Sequence, residues 1–194
     1  MNSKRRTGRF RESLPSEWVK YLVVAILAVV VWMWAFDLYH EPKDTEKIEL
    51  FFSGEVRSAD AFERSARAEF PYLKSVGVSY AYPDAGNGNA FKQKYGEIAL
   101  LYADVVIITE TVANQTQGEV FFAEWTGEGE PYLQGKEEEK IAYGAYLSEE
   151  AMAKLSAYFV FNVSERYVVC AVAASVNAGE ETDHAIRFIE WLLR

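Results

Sequence analysis

Residues 21–36, YLVVAILAVVVWMWAF, contain no charge, proline or glycine, and no other feature limits the architecture of this chain so strongly. Extending the run back to Trp18 gives 19 residues interrupted only by Lys20. At about 1.5 Å rise per residue the stretch reaches roughly 28 Å, close to the ~30 Å hydrocarbon core of a bilayer. Lys20 lies about one turn from the start, where its stem can follow the helix while the ammonium snorkels to the head groups. Trp18, Tyr21, Trp32, Trp34 and Tyr39 gather toward the two ends, as interfacial aromatics do. A cleaved secretory signal would have a shorter apolar core and small residues at its exit, whereas this exit reads WMWAFDLYHEP. An amphipathic core helix would show a polar face, and this run has none. The pattern predicts a transmembrane helix over residues 18–36 that holds the protein in the plasma membrane.

Charge sets the expected orientation. Residues 1–20 carry six basic and two acidic side chains, residues 21–36 none, and residues 37–194 hold 14 basic against 27 acidic ones. The basic excess before the span places the N-terminus in the cytoplasm and the rest outside. Four regions are expected: a basic cytoplasmic tail over 1–17, the span over 18–36, a polar stalk over 37–46 and an extracellular α/β domain over 47–194. A domain with that acidic balance repels phosphate backbones, so no nucleic-acid partner is expected. Cys170 is the chain's one cysteine and sits in an apolar run, where it reads as a core residue with no internal disulfide to form.

Periodicity outlines the outer domain. Residues 47–53 (KIELFFS) read as a first strand, and Ala59, Phe62, Ala66 and Phe70 recur at helical spacing before Pro71 stops the helix. Residues 75–82 alternate as a second strand, after which Phe91, Tyr95, Ile98 and Tyr102 again recur at three and four. Residues 104–109 (DVVIIT) form an apolar run typical of a strand buried on both faces. This β-α-β-α-β order predicts right-handed crossovers and a parallel sheet. Further strands are expected over 120–125, 141–147, 158–163 and 167–174, with a short helix from Ser148. The last two strands are expected to form an antiparallel hairpin through Ser164, Glu165 and Arg166, and residues 182–193 a closing helix.

In an open α/β sheet, ligands bind beyond the carboxyl ends of the strands, where loops and helix starts converge. That rule selects Ser53 and Glu55 after the first strand, Asp84 and Asn87 after the second, and Thr109 and Glu110 after the third. Ser175 joins them if the hairpin borders the same cleft. The set is rich in carboxylates and hydroxyls, which suits a cationic or polyhydroxyl ligand, and the same residue types also serve as caps and turns. The loop DAGNGN at 84–89 lacks side-chain oxygens at two ligand positions of a calcium loop and lacks the Lys-Ser/Thr of a phosphate loop. His40 and His184 are the only histidines, and no spacing suggests a metal site, a cofactor or a nucleophile–base pair.

The segments KIELFFSGEV, KYGEIALLYADVVIITETVA, AYGAYL and the ending YFVFNVSERYVVCAVAASVNAGEETDHAIRFIEWLL together resemble small membrane-anchored extracellular proteins of Gram-positive bacteria related to solute-binding proteins. In that family an apolar ADxxIxxE strand, matched by residues 103–110, ends the first α/β unit, and a hairpin leads through a serine, here Ser175, into the last helix. Two departures stand out: two-lobed binding proteins are about twice this long, and the family's SxH reads Ser175-Val176-Asn177 here. The resemblance implies one periplasmic-binding-like lobe. The expected function is a non-catalytic module that binds a small solute or a transporter or cell-envelope protein. The alternatives are an extracellular hydrolase built on Glu55, Asp84 or Glu110, and an envelope scaffold, for which the span lacks a Gly-x-x-x-Gly pairing face.

Overall fold

The computed structural model describes residues 9–40, 42–83, 88–135, 140–178 and 183–194. It divides into two compact units, residues 1–41 and residues 42–194. The first is one long helix, α1 (Arg9–His40), in which Trp18–Phe36 is long and apolar enough to cross a membrane and none of it is buried.

The second unit opens with a 3₁₀ turn, Asp44–Glu46, within the stretch that the sequence assigns to the stalk. Its backbone is tied into the domain: Lys74 N–H donates to the Glu46 carbonyl at 2.7 Å, and Lys74 Nζ pairs with the Glu46 carboxylate at 2.7 Å. Then follow β1 (Lys47–Ser53), β2 (Glu55–Val56), α2 (Ala59–Glu69) and β3 (Ser75–Ala81). A helical segment comes next, built from α3 (Gly88–Lys94), a π-helical stretch Tyr95–Ala99 and α4 (Leu100–Tyr102), before β4 (Val105–Thr109). The remainder is α5 (Glu110–Gln115), α6 (Gly118–Phe121), β5 (Pro131–Gln134), β6 (Ile141–Tyr146), α7 (Glu149–Leu155), β7 (Phe159–Val160), β8 (Tyr167–Ala171) and α8 (His184–Leu193).

Six strands form one mixed sheet in the order β3-β1-β4-β8-β6-β5. The expected β-α-β-α-β unit is present, with β1 parallel to both β3 and β4, while β8 pairs antiparallel with β4, β6 with β8 and β5 with β6. Strand alternation splits the core into two layers. Ile48, Leu50 and Phe52 face α2, α7 and α8, whereas Phe51, Val106 and Ile108 face α3 and its π-helical continuation. Cys170 is fully buried in the second layer, and desolvation pushes its thiol far above the usual range.

Three sequence expectations are corrected. Residues 120–125 are not a strand; α6 ends there and only Phe122 bridges to Val172. Residues 158–163 do not pair with β8; β7 pairs with β2 in a separate two-stranded sheet, and β8 inserts between β4 and β6. The apolar series Phe91, Tyr95, Ile98 and Tyr102 does not share one face. Phe91 and Tyr95 are buried, but the π-helical stretch shifts the phase, so Ala99 and Leu100 turn inward and leave Ile98 and Tyr102 at 42% and 73% exposure.

Candidate functional site

The chain leaves β1 to one side for β3 and returns to the other side for β4, so the carboxyl ends of β1 and β4 form a switch point where an open sheet leaves a crevice. Here that crevice is filled. Just after β1 the chain pairs as β2 with β7, and Phe52 packs its ring against those of Phe159, Phe161 and Tyr167 at 4.7, 5.3 and 5.9 Å. A side chain at Gly54 would strike the Phe52 ring, so glycine lets the strand end close against it. Ser53 is fully buried beneath, its hydroxyl without a partner among the described residues.

Thr109 and Glu110 likewise serve the scaffold. Thr109 is buried and caps α5, accepting from Val112 N–H at 3.4 Å. Glu110 Oε1 accepts from the Tyr146 hydroxyl at 2.7 Å. Burial, reinforced by that carboxylate, pushes the Tyr146 phenol up to about 12. The Arg166 guanidinium lies 3.7 Å from the Tyr146 ring centre and pairs with Glu130 at 2.7 Å, completing a clamp between α5 and β6.

The open space at this end lies beside the switch point, over β1 and β3. It is a cavity of about 520 Å³ lined by Glu55, Tyr80, Tyr82, Phe91 and Lys94, with Gly54 and Ala81 also in its wall. Tyr80 and Tyr82 are 49% and 61% exposed, presenting aromatic surface next to one carboxylate and one ammonium. Of the residues expected from sequence, Glu55 lines this cavity; Asp84 and Asn87 lie outside the described residues. Tyr80, Tyr82 and Lys94 were missed, although the strand-end rule that selected Glu55 applies equally to a YAY segment ending a strand.

Ser175 is placed at the opposite end, which corrects the expectation of a shared cleft. Its hydroxyl donates to Asp104 Oδ1, just before β4, and accepts from Asn177 N–H at 2.9 Å. Asp104 is nearly buried, and its Oδ2 accepts from Glu49 N–H at 2.7 Å. Asn177 Nδ2 lies 3.0 Å from Asp104 Oδ1 and from the Asp44 and Lys47 carbonyls. Together these residues clasp the start of β1, the start of β4 and the segment after β8. His184 joins the same end, with Nδ1 3.1 Å from the Thr45 carbonyl and its ring 4.5 Å from that of Tyr72.

A second cavity, of about 430 Å³, borders this clasp on the α3–α4 side. Glu49 reaches into it half-buried, and burial, with Asp104 nearby, raises its carboxyl above the usual range. The described residues contain no group of three or more His, Cys, Asp or Glu side chains that could hold a metal ion. No protein-family model, curated protein or solved structure matches the chain.

Proposed function

We propose that the protein is a single-pass membrane protein, N-terminus inside, whose acidic α/β domain lies outside the cell and binds a ligand without transforming it. The observation that carries this reading is the cavity over β1 and β3, where two exposed tyrosines stand beside Glu55 and Lys94. Aromatic faces next to single opposite charges suit a small zwitterion or a polyhydroxyl solute, which stacks and hydrogen-bonds at once. The same class of role is what the sequence resemblance to membrane-anchored extracellular proteins related to solute-binding proteins implies. The hydrolase alternative needs two carboxylates facing one bond. Of the other two carboxylates in that alternative, Glu110 is engaged by Tyr146 and does not line the cavity that holds Glu55, and Asp84 lies outside the described residues.

Two measurements test the proposal. Protease added to intact protoplasts should digest the domain and spare an N-terminal tag; cleavage of the tag instead reverses the topology. A thermal-shift screen of the purified full chain against amino acids and sugars should find a ligand whose effect disappears in Glu55→Gln and Tyr82→Ala and survives in Glu110→Gln. At a hundred times its Kd such a ligand stabilises the fold by about 2.7 kcal/mol. A ligand whose effect depends on Glu110 and not on Glu55 would place the site elsewhere, and turnover of the ligand would make the domain an enzyme.

A further inference from the structure

The cavity beside the clasp carries features of its own. Glu49 pairs across the sheet with Gly77, and its carboxyl lies flat over that glycine, in the space that a Cβ would occupy. Among the described residues no N–H or O–H donates to this carboxyl group. The basic residue in the wall, Lys47, pairs with Asp44 at 2.8 Å, and its charge also favours the Glu49 carboxylate, against the larger effects of burial and Asp104. Behind the wall, Asn177 spends its amide nitrogen on Asp44, Lys47 and Asp104, and its amide oxygen is left buried without a donor. On this side of the cavity the described residues therefore leave the Glu49 carboxyl group without a donor. The other side is apolar: the π-helical phase shift turns Ile98, Leu101 and Tyr102 outward and lines the cavity with them.

We infer that this cavity binds an organic ammonium group on an apolar stem, the ammonium meeting Glu49 and the stem lying along Leu101 and Tyr102. A half-desolvated carboxylate without a donor gains most from a cation that brings its own hydrogens, and an ammonium brings three. An inorganic cation would find too few oxygens around it and would leave the apolar wall unused. A free alkylamine and a lysine side chain of a polypeptide share this chemistry.

The test uses the full chain in nanodiscs of zwitterionic lipid, with butylammonium as probe and butanol and butyrate as controls, read by saturation transfer to the probe's own resonances. Saturable binding at about millimolar Kd is expected for butylammonium alone among the three. Glu49→Gln, which keeps the shape, should weaken it about tenfold or more. Tyr102→Ala, at an exposed position, should weaken it less, and Glu97→Gln, which removes the same charge from the same helical segment outside the cavity, should leave it unchanged. N-acetyl-lysine methylamide separates the sources: binding as tight as butylammonium assigns the site to a lysine of a partner, and weaker binding to a free amine. Equal binding to wild type and Glu49→Gln, equal loss in Glu97→Gln, or no saturable binding overturns the inference.

Discussion

Asp104→Asn is the most revealing single change, because it alters one atom of a nearly buried group that three donors share. The carboxylate accepts from Glu49 N–H through one oxygen and from Ser175 and Asn177 through the other. An asparagine amide offers one oxygen, so it can keep either the two partners after β8 or the backbone of β1. The group it fails then faces an N–H with an N–H. Losing one charge-assisted bond and leaving a buried donor unmet costs about 2–4 kcal/mol. Relief of the repulsion between Asp104 and Glu49 offsets part of this, so the lower half of that range is expected. For a chain of this size about 2 kcal/mol lowers Tm by roughly 4–8 °C. The assay is thermal unfolding of the full chain in detergent followed by near-ultraviolet circular dichroism, which reads the domain's aromatic core. Asn177→Ala should cost a similar amount, and the double variant less than the sum of the two, because the pair shares a bond. A Tm for Asp104→Asn within 1–2 °C of wild type, or strict additivity with Asn177→Ala, would show that the clasp does not hold the domain together.

Three further outcomes are expected. A fragment starting at Pro42 should fold as a soluble domain, whereas one starting at Lys47 should melt at least several degrees lower, because it loses Asp44, Thr45 and Glu46 with their bonds to Asn177, His184 and Lys74; equal melting temperatures would make the 3₁₀ turn a passive linker. Glu49 has its folded-state pKa raised, chiefly by burial, so its ionisation favours the unfolded chain: the stability it contributes is fully present below its ordinary value of 4.5 and is lost as pH rises through the folded value. Glu49→Gln should therefore be at least as stable as wild type at pH 7 and lose that advantage by pH 4, as urea unfolding at the two pH values would reveal; a variant less stable at pH 7 refutes the assignment. Ile107→Asp puts an unpaired charge into a fully buried position of β4 and should abolish folding, so a soluble, normally melting variant would contradict the position of that strand.

The parallel core of the domain is legible because its signals are local. The runs at 47–53, 75–81 and 105–109 and the spacing of Phe62 and Ala66 on α2 record which faces are buried. What fails is set by distant contacts. Residues 120–125 are apolar enough for a strand, yet α6 takes residues 120–121 and only Phe122 of the remainder bridges, while Gly118 N–H finds Gln134 Oε1 at 2.8 Å. Strand β5 begins with a proline and is short, which propensity penalises and an edge position tolerates. The candidate site fares similarly. The strand-end rule leads to Glu55, but it has no means of anticipating that β7 and three rings would fill the crevice and move the open space toward Tyr80 and Tyr82. Ser175 joins the strand-end set only if the expected hairpin borders the cleft, and that hairpin does not form; its partner Asp104 gives no sign in sequence of facing across the domain.

The position of β8 has a consequence for how the domain is made. The strand lies between β4 and β6, in the interior of the sheet, although in chain order it is the last of the six strands. Until residues 167–171 emerge, β4 has an open edge whose apolar residues and backbone groups await partners 58 to 66 positions downstream. Both halves of the sheet can begin to form as they appear, but neither can be sealed early. Completion is thus a late, non-local event, slow relative to helix formation. A stalled or truncated chain would present β4 as a sticky edge to its neighbours, so the growing domain depends on an unbroken run of synthesis, or on a holding factor, far more than a sheet assembled in sequence order would.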